Sequence, residues 1–139
     1  MSDSSGLAAT LAAMNRAKKI ARSAVMPEMI QAASHLTVTM RILAPHDSGD
    51  LERSIAATAP GESTPPYSQP GGSRVAGDKE VLITAGNSDV RYAHLVEYGT
   101  AEAEAQPFFW PAWRLNRKKI RDRIARRFRK ALKDAWKSS

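Results

Sequence analysis

Two side chains able to bind a metal or transfer a proton, His94 and Glu97, lie three residues apart in the segment YAHLVEYGT. On a helix this spacing places both on one face, as metal ligands are arranged in some helical bundles. A metal site needs three or four ligands, however, and His35 and His46 lie in unrelated parts of the sequence. The sequence also contains no HExxH pattern, no Walker-type phosphate loop and no nucleophile elbow. We therefore expect no catalysis, no metal and no cofactor, and we interpret His94 and Glu97 as structural hydrogen-bonding partners or interface residues.

The segment Pro107–Trp113 (PFFWPAW) concentrates four large aromatic side chains between and beside two prolines. Each proline fixes its own φ and favours extended backbone at the residue before it. The aromatic rings either close the core over a sheet or dock on a neighbouring molecule. Because only 6% of the chain is aromatic, we expect part of this cluster to remain exposed as an interface. The predicted interface residues are Tyr92, His94, Glu97, Tyr98, Phe108, Phe109, Trp110 and Trp113.

The formal net charge of +7 is unevenly distributed along the chain. Residues 114–137 hold twelve Lys and Arg against two Asp, a balance of +10, so the remainder is close to −3. Such an asymmetry is typical of a chain that meets a polyanion or an acidic protein surface, although a basic helix face can also be simply solvated. The sequence contains no recognisable base-reading turn, so we expect any DNA contact to be non-specific. The predicted contacts to DNA or to an acidic partner are Arg117, Lys118, Arg121, Arg126, Arg129 and Lys130.

Apolar spacing predicts helices in both terminal parts of the chain. Leu7, Leu11 and Met14 begin a stripe with helical period, and Pro27 then either kinks one long helix or opens a second. From Pro111, a residue favoured at the start of helices, a basic helix is predicted to run to about Lys137. Residues 89–98 fit either a helical turn ended by Gly99 or a strand.

The middle of the chain predicts a small sheet and a long loop. Residues 80–85 (EVLITA) form the best strand candidate, and residues 58–79, rich in proline and glycine, predict a flexible loop. We predict an α+β fold in which N-terminal helices, kinked near Pro27, and the long basic C-terminal helix pack on a small, mainly antiparallel sheet.

Length and composition favour one domain over residues 1–139, with residues 1–5 frayed. The chain contains no cysteine, which fits folding in a reducing cytoplasm, and no apolar run approaches the length of a membrane span.

Two motifs resemble a known family. The segment from Tyr92 to Thr100, followed by QPF at 106–108 and PA at 111–112, resembles the signature of small neck proteins of long-tailed, lambda-like phages and related prophages, which act in head–tail joining or tail completion. The upstream segment HDSGDLERSI at 46–55 resembles the family's second element, a TGxLxxSI pattern, with Ser48 in place of threonine. The two motifs occur in the family's order and, with the flanking helices, account for most of the chain.

The resemblance implies a structural virion protein of the head–tail neck that is assembled in the bacterial host cytoplasm. Such proteins work as sixfold or twelvefold rings that seal the DNA conduit, so the implied partners are further copies of the chain, the head-closure or connector protein, the tail terminator, the tail tube and passing genomic DNA. A tail terminator that caps the tube remains an alternative, as does a non-specific DNA-binding protein that uses residues 114–137.

Overall fold

The computed structural model describes residues 3–46 and 48–138, the side chains of residues 3 and 4 excepted. In chain order the described elements are α1 (Asp3–Leu43), α2 (Asp50–Arg53), β1 (Ala56–Thr58), β2 (Leu82–Thr84), α3 (Ala93–Tyr98) and α4 (Phe109–Ser138). The predicted α+β class is confirmed: long terminal helices accompany a two-stranded antiparallel sheet. Among the described residues, none of the helices combines the length and the apolar run that crossing a bilayer requires.

The N-terminal region is one continuous helix of 41 residues, with Pro27 inside it. Of the two possibilities left by the sequence, one long helix is therefore correct, and Pro27 does not open a second. A proline within a helix lacks the N–H that would bond to the carbonyl four residues earlier, here that of Ser23. A kink is expected for this reason, and the kink at Pro27 stays a prediction. The helix begins at Asp3; the prediction that residues 1–5 fray stays a prediction, and Met1 and Ser2 lie outside the described residues.

The chain divides into two compact units, one of Met1–Met29 and Lys119–Ser139 and the other of Ile30–Lys118. In the first, which we call the basic unit, the early part of α1 lies antiparallel to the late part of α4: Glu28 pairs with Arg123 at 2.7 Å, and Met14 lies near Trp136. Ala17 and Ala21 are buried at this seam, where small side chains let helices approach closely. The prediction of a single domain stays a prediction.

The second unit, which we call the central unit, contains the sheet and both sequence motifs. Strands β1 and β2 pair antiparallel, with Ala56 opposite Thr84 and Thr58 opposite Leu82. Its largest fully buried side chains belong to residues from every part of the unit: Met40, Ile55, Val90 and Phe108. The β2 strand begins later and ends sooner than the predicted 80–85 strand, and residues 93–98 are helical, which resolves the ambiguity of 89–98.

The loop at residues 58–79 is held at several points along its length. Backbone bonds join Thr64 N–H to the Arg74 carbonyl at 2.8 Å and Ala76 N–H to the Glu62 carbonyl at 2.9 Å. The Arg74 guanidinium donates to both carboxylate oxygens of Glu80, at 3.0 and 3.1 Å. This pairing, with a further bond from Gly77 N–H, lowers the pKa of Glu80. These bonds connect several points of the irregular backbone, and the flexibility predicted from composition stays a prediction.

Candidate functional site

The Glu97 carboxylate caps the first turn of α4. One oxygen, Oε1, accepts the backbone N–H groups of Phe108 and Phe109 at 2.9 and 2.8 Å, and Oε2 accepts that of Trp110 at 3.2 Å. The side chain reaches this position because α3 carries it, twelve residues before the start of the helix that it caps. Glu97 is 7% exposed, so the bonds form away from water, where a charge-assisted hydrogen bond is strong. The negative charge also lies at the positive end of the α4 dipole.

This cap accounts for all the backbone donors that the start of α4 leaves without intrahelical partners. A helix has four such N–H groups, which here belong to Phe108, Phe109, Trp110 and the residue after them. That residue is Pro111, which has no N–H. One carboxylate and one proline therefore satisfy the whole terminus. The helix begins at Phe109, two residues before the predicted start at Pro111, because proline is tolerated anywhere in the first turn and not only at its first position.

Further contacts fix α3 against the start of α4. The Trp110 indole N–H donates to the Tyr98 hydroxyl at 2.7 Å, and the Gln106 N–H donates to the Val96 carbonyl at 2.8 Å. Between them the chain turns at Gly99, whose φ of 78° confirms the positive φ expected there. A Cβ at Gly99 would lie 2.7 Å from the Ala105 backbone nitrogen, so the turn requires glycine for space as well as for conformation.

The predicted interface residues divide into buried and exposed groups. Phe108 and Phe109 are 1% and 7% exposed, and their rings meet edge to face, as those of Phe109 and Trp110 do. Together with Glu97 they form the core of the motif, and their side chains are covered within the chain itself, so their assignment to an interface stays a prediction that this burial does not favour. Trp110 and Trp113 are half-buried. Tyr92, His94 and Tyr98 are exposed.

The exposed group includes an apolar residue that the sequence reasoning missed. Tyr92, Leu95 and Tyr98 recur every three residues along α3 and are 40%, 46% and 69% exposed. Ala93 and Glu97, on the opposite side, are buried. We call the three exposed side chains the α3 face. The signal for Leu95 was present in the sequence, since the i, i+3, i+6 spacing is helical, but the ambiguity between helix and strand hid it.

A small cavity of about 110 Å³ lies beside the cap and is lined by residues of α3, of the start of α4 and of the 58–79 loop, including Pro70, His94, Tyr98 and Trp110. Its lining is mainly apolar, and its size suits one partner side chain. His94 and Glu97 both border it, yet the carboxylate oxygens bond to the α4 backbone. Over residues 3–46 and 48–138, no group of three His, Cys, Asp or Glu side chains is placed to hold a metal ion.

The second motif forms the turn before the sheet. Gly49, with φ of 81°, precedes α2. Ser54 donates to the Leu51 carbonyl at 2.6 Å and accepts the Gly86 N–H at 3.0 Å, which joins this turn to the residues that follow β2. The motif's serine is therefore a structural residue. His46 pairs with Glu52, and that bond together with one to the Ile42 carbonyl raises the pKa of His46. Asp47 lies outside the described residues.

The predicted basic contacts are displayed on α4. All six of the side chains assigned to DNA or an acidic partner are exposed: Arg117, Lys118, Arg121, Arg126, Arg129 and Lys130. Lys130 also pairs with Asp134 one turn later, at 3.1 Å. The contacts themselves stay predictions, while the exposure that they require is present.

Comparison with protein-family profiles, with curated proteins and with solved structures finds no match to this chain.

Proposed function

We propose that the chain is a structural subunit of the head–tail neck of a tailed phage, where it forms a ring that completes the tail or joins it to the head. One observation of the structure carries this proposal beyond the motif resemblance. The most chemically suggestive residue, Glu97, is engaged by three backbone N–H groups, and the rigid frame that results presents the α3 face to solvent. The segment is built for docking and not for reaction chemistry.

The α3 face and the adjoining cavity form the proposed ring interface. Exposed aromatic and leucine side chains in a fixed frame lose little conformational entropy on binding, which favours them as anchors. A ring requires a heterologous contact, in which this surface meets a different surface of the next copy and the rotation closes. In this arrangement the cavity of about 110 Å³ receives one side chain of the neighbour. The head-closure protein, the tail terminator and the tail tube are then the axial partners.

The oligomeric state of purified variants tests this interface. Leu95→Glu places a charge on the α3 face, where the residue is 46% exposed and makes little contribution to the core. Val38→Glu is the matched control, since Val38 lies in the same unit on α1 and is 50% exposed. We expect rings of the unaltered chain in light scattering and negative-stain images, rings of the Val38 variant, and folded monomers of the Leu95 variant.

Two results would count against the proposal. One is a chain that stays monomeric at every concentration and is missing from the neck in electron cryomicroscopy of the assembled particle. The other is ring formation that Leu95→Glu leaves intact, which would move the interface elsewhere. Images of the intact neck also separate tail completion from a tail-terminator role, because the two place the ring at different levels.

The exposed cations of α4 favour a second candidate, non-specific DNA binding. A helix that neutralises several phosphates loses affinity steeply as salt rises, with a slope proportional to the number of phosphates contacted. Titration of a random-sequence duplex at several salt concentrations measures this slope. Tight and strongly salt-dependent binding of the duplex by a monomeric chain would favour the DNA-binding candidate. Weak binding of the duplex by a ring-forming chain would favour the proposed neck subunit.

A further inference from the structure

The basic unit contains an apolar surface that its own helices leave uncovered. Leu7, Leu11 and Met14 begin the apolar stripe of α1, yet they are 61%, 50% and 38% exposed, whereas Ala17 and Ala21, next in the stripe, are buried. Two antiparallel helices bury only the seam between them, and the apolar side chains that flank the seam need a third element to cover them. Among the described residues of this unit, the two helices are the only elements.

A groove of about 440 Å³ runs along this uncovered side of the seam. Met14 and Ala17 of α1 form one wall, and Leu132 and Trp136 of α4 form the other. Trp136 is 47% exposed, and the floor is almost wholly apolar. A second groove, which contains Ile20, lies on the other flank of the same seam.

The rim of the groove is basic. Lys18 stands on the α1 side, Arg129 and Lys133 stand on the α4 side, and the lining residues that the structure describes include no carboxylate. The whole unit holds thirteen Lys and Arg against four Asp and Glu, a balance of +9. An apolar floor between two rows of cations is complementary to an amphipathic helix with an apolar stripe and acidic flanks.

Other occupants fit less well. A second copy that presents the same basic face meets like charge, which is repulsive. The short helices of the central unit, α2 and α3, have four and six residues, too few for the two or three turns of anchors that such a groove accepts. DNA would engage only the cationic rim and would leave Met14, Leu132 and Trp136 uncovered.

We propose that this groove binds an acidic amphipathic helix of a partner protein, which completes a three-helix bundle with α1 and α4. Leucine-like anchors spaced three and four residues apart enter the groove between Met14 and Trp136. Carboxylates on either side of that stripe pair with Lys18, Arg129 and Lys133. The proposal is independent of the ring interface, which lies on the central unit.

A designed peptide tests the proposal. The probe is a fluorescein-labelled peptide of about three heptads with leucine at the a and d positions and glutamate elsewhere on the helix, and the full chain is titrated into it while anisotropy is recorded. We expect saturable binding of this probe and binding at least about tenfold weaker for two controls, a lysine version and a scrambled glutamate–leucine sequence, because only the first matches both floor and rim.

Two protein variants separate the groove from general charge attraction. Met14→Glu should weaken binding of the glutamate probe by about tenfold or more, since a carboxylate then faces the leucine stripe. Ile20→Glu is the matched control, because Ile20 is 56% exposed on the same helix and lines the other groove. The Ile20 variant should therefore bind the glutamate probe more tightly than the Met14 variant does. Lys133→Glu should weaken the glutamate probe and strengthen the lysine probe, and circular dichroism confirms that each variant is folded.

The proposal is overturned if the glutamate probe shows no saturable binding, if the scrambled probe binds equally well, or if Met14→Glu and Ile20→Glu weaken binding alike. A dimer of the unaltered chain that Met14→Glu dissociates would instead identify a second copy as the occupant. Duplex DNA binding that Met14→Glu abolishes would assign the groove to DNA.

Discussion

Replacing Glu97 removes the single group that satisfies the start of α4. In the alanine variant, the N–H groups of Phe108, Phe109 and Trp110 lose their acceptor in a region where Phe108 is 1% and Phe109 is 7% exposed. In the glutamine variant, one oxygen can still accept the Phe108 and Phe109 donors. The amide NH₂ then faces the Trp110 N–H, and two donors meet without an acceptor.

The magnitudes follow from the number and kind of bonds lost. A hydrogen bond to a charged group contributes about 1.5–3 kcal/mol, and removing a cap costs about 0.5–2 kcal/mol. Because the three bonds share one carboxylate, they do not add fully, and we expect Glu97→Ala to lower the free energy of unfolding by about 3–5 kcal/mol. Glu97→Gln keeps the shape but loses the charge and one bond, so about 1.5–3 kcal/mol is expected.

Urea denaturation followed by circular dichroism and tryptophan fluorescence measures the change in unfolding free energy. Amide hydrogen exchange at Phe108, Phe109 and Trp110 measures the local change, which should appear as faster exchange at these three positions in both variants. Glu104→Ala is the matched control, since Glu104 is exposed a few residues away in the same loop and should change stability by less than about 0.5 kcal/mol.

The reasoning is refuted if Glu97→Ala behaves like Glu104→Ala in urea. It is also refuted if the three amides keep their protection in Glu97→Ala, because the cap would then have another source. If Glu97→Gln lowers the free energy of unfolding more than Glu97→Ala does, repulsion between the amide NH₂ and the Trp110 N–H outweighs the loss of the acceptor.

Three further results are expected. In a urea titration, Gly99→Ala should lower the free energy of unfolding by more than Gly61→Ala. Both glycines have positive φ, 78° and 82°, but of the two only Gly99 would place the new Cβ against backbone atoms. Gly61→Ala should therefore cost no more than about 1–2 kcal/mol. Phe108→Ala should cost about 3–5 kcal/mol in the same assay, as for other buried phenylalanines, and a cost below about 1 kcal/mol would return this side chain to the interface class. NMR titration should find the pKa of His46 above its ordinary value and lower in Glu52→Gln; since this folded-state pKa is raised, the pair stabilises the fold at acid pH, and that contribution disappears as the pH rises through the raised pKa.

Periodicity alone indicated helices in both terminal parts of the chain but did not decide which of their apolar residues are buried. The stripe that begins with Leu7 and Leu11 is the regular pattern expected of a helix with a core face, and α1 is a helix there. Yet Leu7 and Leu11 are exposed while Ala17 and Ala21 are buried. The difference arises because burial depends on which helix lies opposite, and α4 covers α1 through small residues at a narrow seam. That partner is distant in sequence.

The aromatic segment shows the same limit at the candidate site. Composition indicated that the aromatic side chains of 108–113 divide between core and surface; in the structure Phe108 and Phe109 are buried, and Trp110 and Trp113 are half-buried. Which rings are buried could not be predicted, because Phe108 and Phe109 face inward only as a result of where α4 begins. That start depends on Glu97, whose role as a cap lies outside the short-range patterns by which sequence reasoning finds caps.

The amino-acid sequence was sufficient to predict the α+β class, helices in both terminal parts of the chain, and the concentration of positive charge in the last helix. These properties depend on local backbone preference and on composition, which neighbouring residues specify. Three features could be seen only in the folded chain: the cap formed by Glu97, the bonds within the 58–79 region and to Glu80, and the exposure of the α3 face and of the groove in the basic unit. Each of these depends on two segments far apart in the chain meeting in space, and a hydrogen bond or a buried surface exists only once both are in place.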